Sequence, residues 1–372
     1  MAVFPTAIEG GEALGELEEG PQVLARPGLW GWLAAHPTIA YIVRRILVYI
    51  FTLWAAITAT FFFFRLIPGD PISAYIQSLR SNYAENASTS SAVINHYKAI
   101  FGLDGSLLSQ YSHFMRQLIG HGNWGPSLIS YPRPAQSIVA SALPWTIGLL
   151  LTATAIGWIL GTLFGALAGW RRGGRLSEAA TWLSVAFGQV PFYLIGIVLV
   201  FLLSFTWHIF PATHPYSVNV NPGFSFSFIA SVIHYGILPA GSIVLVATLG
   251  NLLSMRQQMI TVVGEDYLSF AQAKGLRPRR MLTRYAMPNC YLPQVTNLTI
   301  SLGFIFGGNV IVEELFQYPG VGYILVKAIG VFDLNTVMCV TDISIFAVLT
   351  AVLLLDLIMP LLDPRIKYSR AR

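Results

Sequence analysis

The stretch Leu143–Trp170, LPWTIGLLLTATAIGWILGTLFGALAGW, carries no acidic or basic side chain. About 20 apolar residues in a helix cross the hydrocarbon of a bilayer. In lipid a single segment satisfies its own backbone only as a helix. This stretch therefore sets the fold class as all-α integral membrane. Its glycines Gly157, Gly161, Gly165 and Gly169 recur at i+4 and so stack on one helix face. Small residues on such a face let another backbone approach closely. The stripe reads as tight packing within one subunit, or as a subunit interface or sliding surface. Gly303 and Gly307 repeat the theme.

Five further segments of similar character lie outward from it: Tyr41 to Leu66, Ala179 to Trp207, Ile233 to Met255, Asn289 to Val312, and Val337 to Leu362. Six transmembrane helices are predicted. Hydrophobic residues make up 55% of the 372 positions and charged ones 10%, where a soluble domain carries roughly 25% charged. Mean hydropathy is +0.62. The net charge of +5 would suit nucleic acid, but the charges sit at the ends of apolar segments, as membrane topology demands. The expected surroundings are membrane lipids, not nucleic acid. Cys290 and Cys339 give no metal spacing and no disulfide framework. They fall near opposite faces of the bilayer, roughly 30 Å apart, too far to bridge. The first twenty residues hold five glutamates and no Lys or Arg, unlike a cleavable signal peptide.

Sixteen of the 22 Lys and Arg residues lie in the N-terminal segment, the 170–178 loop, the 256–288 loop or the C-terminal tail. The positive-inside rule then puts both termini and the two basic loops in the cytoplasm. The expected organisation is an acidic cytoplasmic tail over 1–40, a first transmembrane helix over 41–66 and an extracytoplasmic segment over 67–142. A core over 143–362 and a cytoplasmic tail over 363–372 follow. The 67–142 segment is too long for a simple connector. It reads as an insertion after the first helix, with a polar stretch over Gln77–Ser91 and then a small helical cap.

Ionisable residues within spans are costly and mark pathways or pairings. Asp342 and Asp356 in the sixth segment are of this kind. Pro191, beside Gly188 and Gln189, frees backbone carbonyls and kinks the third segment. Gln189, Pro191 and Asp342 are the candidates for the translocation path. Asp356 reads as a carboxylate bonded within the bundle.

In the 256–288 loop, Asp266 to Lys274 lacks Pro and Gly, and Gly275 follows as a helix stop. Asp266 at the start and Lys274 at the end suit the helix dipole. One side is expected to offer Tyr267, Phe270 and Ala271 to a protein groove. An ordinary positive-inside loop on lipid headgroups is the alternative.

Glu265-Asp266-Tyr267-Leu268-Ser269-Phe270-Ala271-Gln272-Ala273-Lys274-Gly275 resembles the "EAA" coupling loop of ABC importer permeases of the dipeptide and oligopeptide branch. Arg65-Leu66-Ile67-Pro68-Gly69-Asp70-Pro71 is similar to the family's first-span ending. Phe101-Gly102-Leu103-Asp104 with Gln110-Tyr111 is similar to its "GLD-x-P-L-x-x-QY" element, with Ser106 in place of the proline. Glu313-Glu314-Leu315-Phe316-Gln317-Tyr318-Pro319-Gly320-Val321-Gly322 resembles its outer "E-x-x-F-x-x-PG-x-G" loop, and Leu361-Leu362-Asp363-Pro364-Arg365 its ending. The resemblance runs from about 41 to 367, leaving out the N-terminal extension.

That resemblance implies a type I ABC importer (MetI-like) permease core, with no catalytic residue in this chain. Glu265, Asp266, Tyr267, Phe270, Ala271, Ala273, Lys274 and Gly275 would couple to an ATPase. Leu315, Phe316, Tyr318, Pro319, Gly320 and Gly322 would form an outer gate or contact a binding protein. The implied partners are a second permease, as a heterodimer, two ATPase subunits and an extracytoplasmic substrate-binding protein. ATP and Mg would be bound by the ATPases, since this chain lacks a G-x-x-x-x-G-K-[ST] phosphate loop. The cargo expected first is peptide, then oligosaccharide, with nickel chelates also carried within the branch. A proton-coupled secondary transporter would need inverted repeats and paired midplane acids. A channel would need a selectivity filter. Neither pattern is visible.

Overall fold

A computed structural model describes residues 37–67, 91–171, 173–305 and 308–362. Most of the tail expected over 1–40, the Pro68–Pro71 element, nearly all of Gln77–Ser91, Gly307 and the tail 363–372 lie outside the described residues.

The first helix, α1, is Pro37–Arg65; α2 (Ser91–Ile100) and α3 (Leu107–His121) precede the long α4 (Ala135–Trp170). Next come α5 (Arg175–Phe187) and α6 (Phe192–Leu199), which widens into a π turn over Val200–Thr206. The longest helix is α7 (Phe226–Val263). Short α8 (Asp266–Ala273) and α9 (Pro278–Met281) lead through a second π turn, Leu282–Ala286, into α10 (Met287–Phe304). The chain continues through α11 (Val310–Leu315), α12 (Val321–Gly330) and α13 (Leu334–Leu362).

Among the described residues four helices are long and apolar enough to cross a membrane: Ile39–Arg65, Ala135–Trp170, Phe226–Val263 and Leu334–Leu357. A fifth crossing is counted if Ser177–Phe187 and Phe192–Thr206 are taken together, although they meet at 98°. The third expected segment is thus bent far beyond a kink, because Pro191 takes an extended ψ of 130° and starts a new helix. The fifth, expected over 289–312, is also corrected. Its helix ends at Phe304, and Gly308, at φ +75°, and Asn309, which caps Val312 N–H, start the separate α11. Asn289, Gln294, Asn297 and Ser301 make α10 too polar to count with the four. Gln294 is fully buried and ties three helices: its side-chain Nε2 donates to Ser254 Oγ of α7 (3.0 Å), and its main-chain carbonyl accepts from Trp158 Nε1 of α4 (3.1 Å).

The glycine stripe packs within the chain. A Cβ at Gly157 would lie 2.7 Å from Ala247 Cβ, at Gly161 2.5 Å from Asn251 Cβ, at Gly165 2.8 Å from Met255 Cβ, and at Gly169 2.6 Å from Met259 Cβ. The partners advance four residues for each glycine, so α4 and α7 run parallel in near contact over about three turns. Trp170 and Val263 therefore emerge at one end, beside α8. Ala135 emerges at the other, where it packs with Val139, Val321 and Cys339 beside α12. The two cysteines are free and buried in separate clusters, one near each end.

At the α12 end, α3 packs on α1. Phe114 stacks on Phe61 of α1 (5.2 Å between centroids), and the Tyr111 and Thr58 hydroxyls lie 2.8 Å apart. The segment after α3 is latched to α13. Buried Asp333 accepts from Ser127 Oγ, from the Leu128 and Ile129 amides (2.8 and 3.2 Å) and from Thr336 Oγ1 (2.7 Å).

Candidate functional site

Three places carry the residues singled out by sequence. The first is α8. Glu265 starts it in extended conformation and Asp266 occupies its first turn. Gly275 stops it at φ +70°, with its N–H on Gln272 O and the Leu276 N–H on Ala271 O. Leu268 and Ala271 are buried, 3% and 5% exposed, among Ala166, Met255, Met259, Met281, Met287 and Cys290. This corrects the expected face: Ala271 points inward and holds the helix on α4, α7 and α10. Phe270 is 70% exposed, and Glu265, Asp266, Tyr267, Ala273, Lys274 and Gly275 are also exposed. The Tyr267 hydroxyl accepts from Asn289 Nδ2 (3.0 Å), which ties the exposed face to the start of α10. Burial of part of the ring pushes the Tyr267 phenol above its usual range.

The second place is the loop from Asn309 to Tyr323. Phe316, Tyr318, Gly320 and Gly322 are buried, and Leu315 and Pro319 partly so. As a contact surface for a binding protein these residues are therefore unsuited. The exposed members of the motif are Glu314 and Gln317, which the sequence did not single out.

Glu313 is the organising group. It is fully buried, and its Oε2 accepts from the Gly322 and Tyr323 amides (2.6 and 3.2 Å) at the start of α12. Its Oε1 accepts from Thr146 Oγ1 (2.8 Å) and the Asn309 amide (3.4 Å), while Thr146 Oγ1 accepts from Val321 N–H (2.7 Å). One carboxylate thus serves two helix N-termini, where negative charge is favoured, and binds them to α4. Desolvation pushes the Glu313 carboxyl up, opposed by these four donors. A Cβ on Gly320 would collide with the Glu313 carboxylate and Thr146, so the glycine is required by the carboxylate. Tyr318, its phenol pushed up to about 12 by burial, packs edge-on to Trp145 (5.7 Å), which stacks on Tyr216 (5.9 Å). The His214 amide donates to Phe316 O (2.9 Å), so the 207–225 loop rides on the same unit.

The third place holds the path candidates, which the structure separates. Gln189 and Pro191 lie exposed at the α5–α6 bend. Asp342 is buried on α13, where its Oδ2 accepts from Trp124 Nε1 (2.8 Å). Asp356 pairs with Arg45 of α1 at 2.9 Å, the bundle role expected of it. Among the described residues no group of His, Cys, Asp and Glu is arranged to hold a metal.

Residues 161–368, which include α8 and the Glu313 loop, match the family described as "binding-protein-dependent transport system inner membrane component". The chain is 27% identical over 336 residues to the dipeptide transport system permease protein DppB of Lactococcus lactis subsp. cremoris, covering 88% of this chain and 99% of that one. The oligopeptide transport system permease protein AppB of Bacillus subtilis is 27% identical over 329 residues, with 88% and 99% covered. The di/tripeptide transport system permease protein DppB of Pseudomonas aeruginosa is 29% identical over 353 residues, with 89% and 100% covered. With the family match covering more than half of the chain and its long apolar helices, this multi-pass membrane protein belongs to the inner membrane components of binding-protein-dependent transport systems.

Proposed function

We propose that this chain is the transmembrane permease subunit of an ATP-driven peptide importer. The observation that carries the reading is α8: Leu268 and Ala271 fasten it to the bundle, while Phe270 stands 70% exposed. A helix built this way transmits a push, because a partner gripping Phe270 moves α4, α7 and α10 with it. Two ATPase subunits, which bind ATP and Mg, would seat on Glu265, Asp266, Tyr267, Phe270, Ala273, Lys274 and Gly275. Their closure would rock the bundle as a rigid body, with a second permease completing the path and Gln189 and Pro191 facing it. The chain itself performs no bond chemistry.

The arrangement has six crossings, counting the bent α5–α6 pair and α10, with α1 to α3 as a first helix and an extracytoplasmic insertion. Both termini and α8 face the cytoplasm of a cell membrane, a reading supported by the Lys and Arg distribution. An external binding protein delivers cargo above the Glu313 loop. Peptide is the cargo because the relatives above are named for dipeptide, oligopeptide and di/tripeptide transport.

The test is to tag the full chain and purify it from native membranes, beside a Phe270→Asp variant. The wild type should recover a second permease and ATPase chains, and Phe270→Asp should lose the ATPases and keep the permease. Thermal shifts of a co-purifying binding protein with peptides and with oligosaccharides name the cargo. A chain recovered alone that transports without ATP overturns the reading.

A further inference from the structure

Arg65, the last residue of α1, lines a cavity of about 110 Å³ at the α12 end, together with Gln110, His113, Gln117, Asn123 and Trp124. Its guanidinium lies over the Phe61 ring, 5.4 Å from the centroid, and its Nε is buried without a hydrogen-bond partner. Among the described residues no carboxylate lies within ion-pair distance of Arg65. Asp333 lies near Arg65 across a smaller void. Its Oδ2 is already engaged by Ser127, Leu128, Ile129 and Thr336, and its Oδ1 by the Thr336 amide.

Arg65 is half-buried, and a buried donor left unpaired, as its Nε is, is costly. Here it faces a cavity instead of packed side chains, with the Gln110, Gln117 and Asn123 amides and the His113 ring around it. The guanidinium fork matches a planar carboxylate with two parallel hydrogen bonds. Pockets for drug-sized ligands run to about 300–1,000 Å³, so this one is too small for a whole cargo molecule. It is large enough for one carboxylate on a short apolar stem, which the Phe101 and Phe114 rings would flank.

We propose that the Arg65 cavity is a carboxylate-binding site, taking either an acidic side chain of a docking protein or the C-terminus of a peptide. Only the choice between these two sources rests on the importer reading. The site itself is tested on the full chain alone, purified in nanodiscs, by thermal unfolding with glutarate. Glutaramide serves as the neutral isostere, at matched ionic strength. Wild type should shift upward with the logarithm of glutarate concentration and ignore glutaramide. Arg65→Gln should need at least about tenfold more glutarate, and Arg65→Lys, which keeps the charge without the fork, should fall between. Equal responses of wild type and Arg65→Gln, equal responses to glutarate and glutaramide, or no response to glutarate overturn the proposal. Competition by peptides with a free but not an amidated C-terminus assigns the peptide source. Competition by the external binding protein, lost when its carboxyls are amidated, assigns the side-chain source.

Discussion

Glu313 illustrates what a single buried carboxylate does when every partner is a donor. Leaving a buried donor unpaired costs about 1–3 kcal/mol, and removing this side chain strands Thr146, Asn309, Gly322 and Tyr323 together. Glu313→Ala is therefore expected to destabilise the protein by at least about 3 kcal/mol. The measurement is the unfolding midpoint of the purified chain. Gly320→Ala should act at the same place by displacing the carboxylate, with transport falling even where folding survives. Normal transport in Gly320→Ala would show that the loop tolerates the shift and that the carboxylate is not its organiser. The motif containing Glu313 is visible in sequence, but the carboxylate's role is not. Its partner Thr146 lies on another helix, 167 positions away, and local pattern cannot pair them.

Element by element, the start and stop of α8 are readable from Glu265, Asp266 and Gly275, whereas its inward face is not. At 3.6 residues per turn, Tyr267 and Phe270 form one stripe and Leu268 and Ala271 the next, about 100° apart. Both stripes pair a larger with a smaller or equally apolar group, so an eight-residue helix offers no moment strong enough to choose. Packing on Met255 and Met259 decides it. The two stripes predict different phenotypes. Phe270→Ala should leave the unfolding midpoint unchanged and abolish substrate-driven ATP hydrolysis in the assembled transporter. Ala271→Glu puts a carboxylate into an apolar cluster and should lower the midpoint as well, as should Leu268→Ala, by about 2–5 kcal/mol. Gly275→Pro cannot hold φ at +70°, so it should unseat the end of the helix. An unchanged midpoint in Ala271→Glu would mean that α8 hangs free of the bundle. The bent α5–α6 pair was half legible: Pro191 marks the break, but a 98° turn depends on how α6 lies against α7 and on Gly196 leaving room for Leu315, whose Cδ2 would lie 3.3 Å from a Cβ there.

At the scale of the molecule, two of the fastenings among the described residues are the glycine stripe joining α4 to α7 and the latch joining the segment after α3 to α13. The stripe was readable as a close-packing face. Its partner was not, since any helix could fill the groove. The latch was unreadable, because Trp124, Ser127, Asp333 and Asp342 look unrelated along the chain. Asp342 accordingly changes meaning. A transmembrane acid suggests a proton or substrate path, yet this one accepts a hydrogen bond from Trp124 and is 3% exposed. If it is a fastener, the pair should couple energetically and not chemically. Residues in direct contact show interaction energies of about 0.5–3 kcal/mol in double-mutant cycles. Trp124→Phe and Asp342→Ala, alone and combined, should show such coupling in unfolding midpoints. Asp342→Asn, which keeps an acceptor for the indole N–H, should then transport normally with an unaltered pH profile. Additive destabilisation, or transport that loses its pH dependence in Asp342→Asn, would return Asp342 to the pathway and revive proton coupling.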